Sequence, residues 1–139
     1  MNAYTLVLLK PSALQRGLCG KVISRYEQAG LMIERLELKQ YNREVFEKLY
    51  EEHRGKSFYD DMVNWMSSEP IIAVVLSGPS GVVEKVRALN GATDPVKAVP
   101  GSIRGDYANS MDPDNVVHAS DSAESARREI RLFFKDFRL

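Results

Sequence analysis

The stretch Ile71-Ile-Ala-Val-Val-Leu76 is almost entirely apolar and rich in β-branched residues, and Tyr4-Thr-Leu-Val-Leu-Leu9 has the same character near the start of the chain. Apolar runs this short are typical of strands buried inside a sheet. These two segments therefore predict a pair of central strands, around which the rest of the fold has to be arranged.

A third strand is predicted between Leu31 and Tyr41, where Leu36 and Leu38 alternate with charged residues. Alternation with a period of two favours a strand with one face in solvent and one face covered. We expect this strand to lie toward the periphery of the sheet.

Helices are predicted wherever apolar residues recur at a spacing of three or four. The sets that show this spacing are Leu18, Val22, Ile23 and Tyr26; Val45, Phe46, Leu49 and Tyr50; Val82, Val83, Val86 and Leu89; and Ala126, Ile130, Phe133 and Phe134, with a further short helix over Phe58–Met66. Because helices fall between strands, the element order predicts an α+β sandwich. The segment from Thr93 to Asp114 has no period, and a loop of that length inside a compact domain is often functional.

Composition excludes several classes of protein. The 139 residues fit one domain over residues 1–139, with 44% hydrophobic and 27% charged residues, as in ordinary globular proteins. Nineteen Lys+Arg balance nineteen Asp+Glu, so neither nucleic acid nor an anionic membrane is expected as the main partner. The single cysteine, Cys19, cannot form an internal disulfide, and the apolar start is too short to span a membrane. A cytoplasmic location is the expectation.

His118 is the first candidate for chemistry, because it follows Val116-Val117 and precedes Ala119-Ser120-Asp121-Ser122. This position predicts a short strand that leads into a helix, with the imidazole at a cleft. Asp121 and Glu124 fit a capping box, which would place free helix N–H groups near the ring, where phosphate binds well. The alternative, equally open from the residues alone, is an ordinary hydrogen-bonded histidine at the end of an element.

Glu129 falls on the apolar face of the last predicted helix, where an unpaired carboxylate would be costly. An imidazole is one suitable partner, because a carboxylate that accepts from one ring nitrogen leaves the lone pair of the other nitrogen free to attack. An arginine-paired structural glutamate is the other interpretation.

Three scattered cations could bind phosphate: Lys10 directly after the first strand, Arg87 beside an apolar helical stripe, and Arg104 in the long loop. Each taken alone is more often a solvated surface charge, but together with His118 they would form a multi-donor clamp for a triphosphate. Ser12 and Gln15 fit a capping box that would hold Lys10 at a rigid corner. Walker, dinucleotide-binding and protein-kinase motifs are absent from the sequence, so phosphate would be bound by side chains.

The segment from Asn115 through His118 to Ala126 resembles the active-site signature of nucleoside diphosphate kinases. Lys10-Pro11, Asn90-Gly-Ala-Thr93 and Pro100-Gly-Ser-Ile-Arg104-Gly-Asp106 resemble further motifs in the same order. The resemblance spans essentially the whole chain. It implies a ferredoxin-like fold with a four-stranded antiparallel sheet, and ping-pong transfer of the γ-phosphoryl group of a nucleoside triphosphate through a phosphohistidine on His118. It also implies Mg²⁺ on the nucleotide phosphates and a homo-oligomer, a tetramer or hexamer built from dimers.

The resemblance also assigns roles residue by residue. Phosphate binding is implied for Lys10, Arg87, Thr93 and Arg104, and contact with the ribose 3′-hydroxyl for Asn115 and Lys10. Phe58 would stack on the base, Tyr50 would lie near the transferred phosphate, Glu129 would orient His118, and Ser120 would support that pair. Without the family, Tyr50 and Phe58 could instead be core residues, because both lie on apolar helical faces. A catalytically silent nucleotide-binding member of the same fold is the alternative function.

The sequence departs from the family pattern at a few positions. Ser12 replaces a usual Asp, and Ala119 replaces a usual Gly, so no positive φ is expected at residue 119. The loop Ala108–Asp114 is one residue longer than is common in the family.

Overall fold

The computed structural model describes residues 2–109 and 115–139. Within these residues four strands form one sheet: β1 (Ala3–Leu9), β2 (Met32–Lys39), β3 (Ile71–Gly78) and β4 (Val117–Ala119). The order across the sheet is β2-β3-β1-β4, and every neighbouring pair is antiparallel. The two apolar runs are the two central strands, as predicted, and all of β3 is buried.

The helices described by the structure are α1 (Pro11–Gln15), α2 (Cys19–Gln28), α3 (Arg43–Leu49), α4 (Tyr59–Ser68), α5 (Val82–Asn90), α6 (Ile103–Tyr107) and α7 (Ala123–Phe133), with a 3₁₀ turn at Glu51–His53. The helices predicted from apolar spacing are all present. The α6 helix was not predicted, because one and a half turns are too short to show a period. It begins at Ser102, whose hydroxyl accepts from the N–H of Gly105 at 3.1 Å.

Successive side chains of the central strands point to opposite faces of the sheet and pack into two separate hydrophobic cores. On one face Val7, Leu9 and Val74 pack against α2 and α5, and on the other Leu6 and Leu8 pack against α3, α4 and α7. Burial on both faces explains why β1 and β3 read as continuous apolar runs rather than as alternating ones. The four-stranded antiparallel sheet with helices on it confirms the α+β, ferredoxin-like fold.

The prediction for β2 was right about the strand and wrong about its faces. Leu36 and Leu38, expected on the covered face, are 47% and 59% exposed. The strand lies at the edge of the sheet and has a register irregularity between Ile33 and Arg35. Of its apolar residues only Ile33 packs against a core, because the helices lie over the two central strands.

Both predicted capping boxes are wrong in detail. The cap of α7 is Ser122, whose hydroxyl accepts from the N–H of Ser125 at 3.0 Å, so the helix begins one residue later than predicted. In α1 the capping residue is Lys10, and Pro11 occupies the first turn. Proline is preorganised for that position, and it places Ser12 inside the helix, where its hydroxyl is buried and has no hydrogen-bond partner among the described residues.

Candidate active site

The register of β4 determines which way His118 faces. His118 is paired with Leu8, whereas its neighbours Val117 and Ala119 are paired with Leu9 and Val7. Since successive side chains alternate across a strand, Val117 and Ala119 enter the core under α2 and α5. His118 therefore lies on the other face, toward the end of α3 and toward α7.

The approach to β4 is a tight turn. Val116 has φ = +75°, and the N–H of Val117 bonds back to the carbonyl of Asn115 at 2.9 Å, which is the pattern of a γ-turn. The Val116 carbonyl accepts in turn from the N–H of Lys10 at 2.9 Å. Among the described residues Val116 is the one non-glycine at positive φ, and a buried β-branched residue pays a conformational cost there. Strain of this kind is common beside functional sites.

The imidazole of His118 is held from α7. Its Nε2 lies 2.9 Å from Oε1 of Glu129, and the Ser120 hydroxyl donates to the same oxygen at 3.0 Å. Glu129 is 5% exposed and Ser120 is fully buried. Because a carboxylate accepts, Nε2 carries the proton and the lone pair belongs to Nδ1. Of the two open interpretations for Glu129, imidazole pairing is observed, and Arg128 also lies 3.9 Å from its second oxygen.

Aromatic side chains line one wall of the site. The Tyr50 ring meets His118 edge to face at 5.9 Å between centroids, and Phe58 lies beyond His53, with 5.4 Å between the His53 and Phe58 centroids. Tyr50 is 6% exposed and belongs largely to the core, whereas Phe58 is 39% exposed. The core interpretation is therefore wrong for Phe58 and partly right for Tyr50.

Lys10 and Asn115 form a buried pair at the floor of the site. The Lys10 ammonium donates to Oδ1 of Asn115 at 2.6 Å, and the Asn115 amide reaches the carbonyl of Thr93 at 3.5 Å. Lys10 is 3% exposed and Asn115 is 2% exposed. A lysine this deeply buried is not a solvated surface charge.

Arg104 connects three segments of the backbone. Its guanidinium donates to the carbonyls of Gly91 at 2.8 Å, Val117 at 2.7 Å and Asn115 at 3.3 Å. It is 8% exposed, so the alternative interpretation, a solvated surface charge, is wrong for this residue too. The planar fork of arginine suits this arrangement, because several N–H groups can donate at fixed angles.

Arg87 is exposed on α5 and lines the same cleft as Asp121. The Ser125 hydroxyl, together with the charge of Arg87, holds the pKa of Asp121 below its usual range. Asp121 is therefore ionised at neutral pH and sets a negative charge beside the phosphate-binding cations predicted from the sequence.

These side chains surround one cleft of about 280 Å³. The predicted residues that line it are Lys10, Tyr50, Phe58, Arg87, Thr93, Arg104, Asn115, His118 and Glu129; Ser120 lies behind Glu129. Sequence reasoning missed Glu52, His53, Met62 and Asp121 as lining residues. The sequence contained one indication for His53: it follows Tyr50 by three positions, so the two side chains could lie on the same side of a helical turn.

The family model described as nucleoside diphosphate kinase matches residues 3–139. This chain belongs to the nucleoside diphosphate kinase family. A nucleoside diphosphate kinase of Streptomyces avermitilis is 52% identical over 135 residues, 96% of this chain and 97% of that protein. One of Saccharolobus solfataricus is 50% identical over 130 residues, 94% of this chain and 93% of the relative.

Solved structures of nucleoside diphosphate kinases show the same fold. The enzyme of Halobacterium salinarum, solved in complex with CDP, superimposes with a TM-score of 0.93 at 38% identity, over 98% of this chain and 90% of that chain. The Aquifex aeolicus enzyme gives a TM-score of 0.90 at 36% identity, over 96% of each chain. Membership of the family is thus supported by sequence and by structure.

Of the remaining departures from the nucleoside diphosphate kinase pattern, one lies within the described residues and the other lies mostly outside them. Ala119 lies in β4 without a positive φ, as expected. The longer loop Ala108–Asp114 falls mostly outside the described residues, which omit 110–114.

Across residues 2–109 and 115–139, no helix combines the length and the apolar character needed to cross a bilayer.

Proposed function

We propose that this protein transfers the γ-phosphoryl group of a nucleoside triphosphate, typically ATP, to a nucleoside diphosphate through a phosphohistidine on Nδ1 of His118. The observation that carries the proposal is the bond of Nε2 to buried Glu129. With Nε2 protonated and held, Nδ1 is the nucleophilic nitrogen, and His118 lines a cleft that contains Lys10, Arg87 and Arg104.

The reaction has two symmetrical halves. The Nδ1 lone pair attacks the γ-phosphorus, the bond from that phosphorus to the β–γ bridging oxygen breaks, and the nucleoside diphosphate leaves with the bond electrons. A terminal oxygen of the acceptor diphosphate then attacks the phosphohistidine, and the electron pair of the P–N bond returns to Nδ1. The cations of the cleft offset the negative charge in both steps, which is the main protein contribution to phosphoryl transfer.

The cleft also suggests how the nucleotide lies. Phe58 is exposed at the mouth, where stacking would use the π-face that every base has and would therefore discriminate weakly between bases. Lys10 and Asn115 on the floor would meet the ribose 3′-hydroxyl, with Thr93 and the arginines on the phosphates and Tyr50 beside the transferred group. The Halobacterium relative, solved in complex with CDP, agrees with a nucleotide in this fold.

Magnesium fits this site only as an ion carried by the nucleotide. Among the described residues no group of three His, Cys, Asp or Glu side chains could hold a metal ion, and Asp121 is the one acidic side chain described above beside Arg87 in the cleft. Mg²⁺ is commonly bound through substrate phosphates with few protein ligands. When bound, it would neutralise part of the charge on the β- and γ-phosphates.

The cytoplasmic location and the homo-oligomer remain predictions from the sequence. One observation supports assembly: the edge strand β2 exposes Met32, Leu36 and Leu38, and exposed apolar edges tend to pair. Light scattering of the purified protein tests this; a mass of one chain would contradict it.

A labelling experiment tests the proposed function. The protein is incubated with Mg²⁺ and γ-labelled ATP, freed of nucleotide, and then given GDP. Label should bind the protein, be lost in acid, and move to GTP. The chain has two histidines, so His118→Ala and His53→Ala form a matched pair: His118→Ala must lose the label and His53→Ala must still accept it. A parent protein that binds ATP but never labels would instead support the silent nucleotide-binding alternative.

A further inference from the structure

Arg128 on α7 reaches across to the end of α3. Its Nη1 donates to the carbonyl of Lys48 at 3.0 Å, and its Nη2 to the carbonyl of Leu49 at 3.5 Å. The last carbonyls of a helix lack partners within the helix, and a cation at that end is favourable. Leu49 directly precedes Tyr50, so Arg128 holds the segment of backbone that carries the Tyr50 ring.

The same guanidinium lies next to the carboxylate that holds His118. Its Nη2 is 3.9 Å from Oε2 of Glu129, and its Nη1 is 3.8 Å from Glu51. The other oxygen of Glu129, Oε1, is engaged by His118 and Ser120. Oε1 of this buried carboxylate therefore has two hydrogen-bond partners, and Oε2 lies at ion-pair distance from the guanidinium.

Both contacts of Arg128 act on His118. Glu129 holds Nε2 of the imidazole at 2.9 Å, and the Tyr50 ring packs edge to face against it at 5.9 Å. We propose that Arg128 is a positioning residue for phosphoryl transfer, which fixes Glu129 and the end of α3 so that the imidazole keeps one tautomer and one orientation. This inference rests on His118 being the phosphorylated residue.

Three substitutions at this position separate its charge from its shape. Arg128→Met removes both the charge and the donors, Arg128→Gln keeps an amide donor without charge, and Arg128→Lys keeps the charge. Arg127→Met is the matched control, because Arg127 is the adjacent residue, is exposed, and lines a separate groove. For each protein we would measure the single-turnover rate of phosphohistidine formation at saturating ATP, the ATP concentration at half-maximal rate, and the thermal unfolding midpoint.

The positioning role predicts that Arg128→Met slows phosphohistidine formation by about three- to tenfold, because it removes contacts of ordinary hydrogen-bond strength that act on the nucleophile. The half-saturating ATP concentration should change by less than about twofold, because Arg128 does not line the cleft. Arg128→Lys should recover most of the rate, Arg128→Gln less, and Arg127→Met should match the parent.

Two results would overturn the inference. One is a rate for Arg128→Met equal to that of Arg127→Met; the other is equal loss in the Lys and Gln variants, which would leave only a structural role. If Arg128→Met does not fold, the rates of Arg128→Lys and Arg128→Gln are compared instead, and a faster rate for Arg128→Lys supports the positioning role. Failure of the proposed function would look different, because the parent protein itself would then acquire no acid-labile label.

Discussion

At the residue scale, Glu129 is a single carboxylate that accepts from both the Nε2 of His118 and the Ser120 hydroxyl. Glu129→Gln keeps the shape but presents an amide that can donate as well as accept, so the imidazole is no longer held in one tautomer. We expect phosphohistidine formation to slow by about tenfold to a hundredfold while label still appears, because Glu129 orients the nucleophile and is not the nucleophile itself.

Glu124→Gln is the matched control for this prediction, since Glu124 is exposed in the first turn of the same helix. Single-turnover labelling at saturating ATP measures both variants. Equal rates for Glu129→Gln and Glu124→Gln would contradict the orienting role, and complete loss of label would mean that Glu129 does more than orient His118.

A second prediction at this scale concerns Tyr26, whose hydroxyl donates to Oδ1 of Asn90 at 2.5 Å inside the core under α2 and α5. Burial raises the pKa of Tyr26, so the phenol remains a donor at neutral pH. Tyr26→Phe leaves a buried amide without this donor and should lower the free energy of unfolding by about 1–2 kcal/mol.

The double variant Tyr26→Phe/Asn90→Leu should cost less than the sum of the two single changes, because both polar groups are removed together. Urea unfolding of the four proteins measures the coupling. Strict additivity would mean that this hydrogen bond contributes nothing to stability.

At the element scale, α6 is the helix that places Arg104, and it can approach its neighbours only because residue 105 is glycine. A Cβ at Gly105 would lie 2.0 Å from the carbonyl oxygen of Val99 and 2.8 Å from the capping hydroxyl of Ser102. Packing around the buried Arg104 therefore requires glycine at position 105.

Gly105→Ala should lower the free energy of unfolding by about 1–3 kcal/mol through overpacking, and should weaken nucleotide binding because α6 must shift with Arg104. Gly20→Ala is the control, since Gly20 lies in α2 and a Cβ there meets nothing within 4 Å. That change should instead stabilise the protein by up to about 1 kcal/mol. Thermal unfolding and an ATP titration of both variants test this prediction. Equal stability and equal ATP affinity of Gly105→Ala and Gly20→Ala would contradict it.

At the scale of the whole molecule, acid should loosen the contact between α2 and α6. The N–H of Gly101 and then the Arg25 guanidinium hold the pKa of Asp106 below its usual range, and Arg25 reaches Asp106 from α2 at 2.8 Å. A carboxyl with a lowered folded-state pKa stabilises the protein above its unfolded-state pKa, and that contribution is lost as pH falls through the folded-state value.

The contribution of Asp106 to the free energy of unfolding should therefore be level above about pH 5 and decrease below about pH 4. The fall should be shallower in Asp106→Asn. Glu69→Gln, a change at an exposed carboxylate near the end of α4, should follow the parent curve. Urea unfolding across this pH range is the measurement, and identical curves for Asp106→Asn and the parent would contradict the prediction.

Much of this protein could be predicted from the sequence because the relevant signals are local. The apolar runs of β1 and β3 indicated burial on both faces, and a carboxylate on the apolar face of α7 indicated a buried partner for Glu129. The motifs around His118, Lys10 and Arg104 resembled one family. That resemblance named nine of the residues that line the cleft, which no period or spacing could have brought together.

Tertiary structure decided the features that depend on what covers a residue. The sequence of β2 could not show that Leu36 and Leu38 are exposed. Alternation of apolar and charged residues shows that the two faces of a strand differ in polarity, but it does not show whether a helix covers the apolar face. Taken alone, Lys10 and Arg104 resembled ordinary surface charges. In the structure both are buried, and they donate to amide and carbonyl oxygens of segments far away in the sequence. The sequence by itself determined the strands, most helices and the histidine. Packing of segments far apart in the chain determined that Nε2 of His118 bonds to Glu129, which leaves the lone pair on Nδ1.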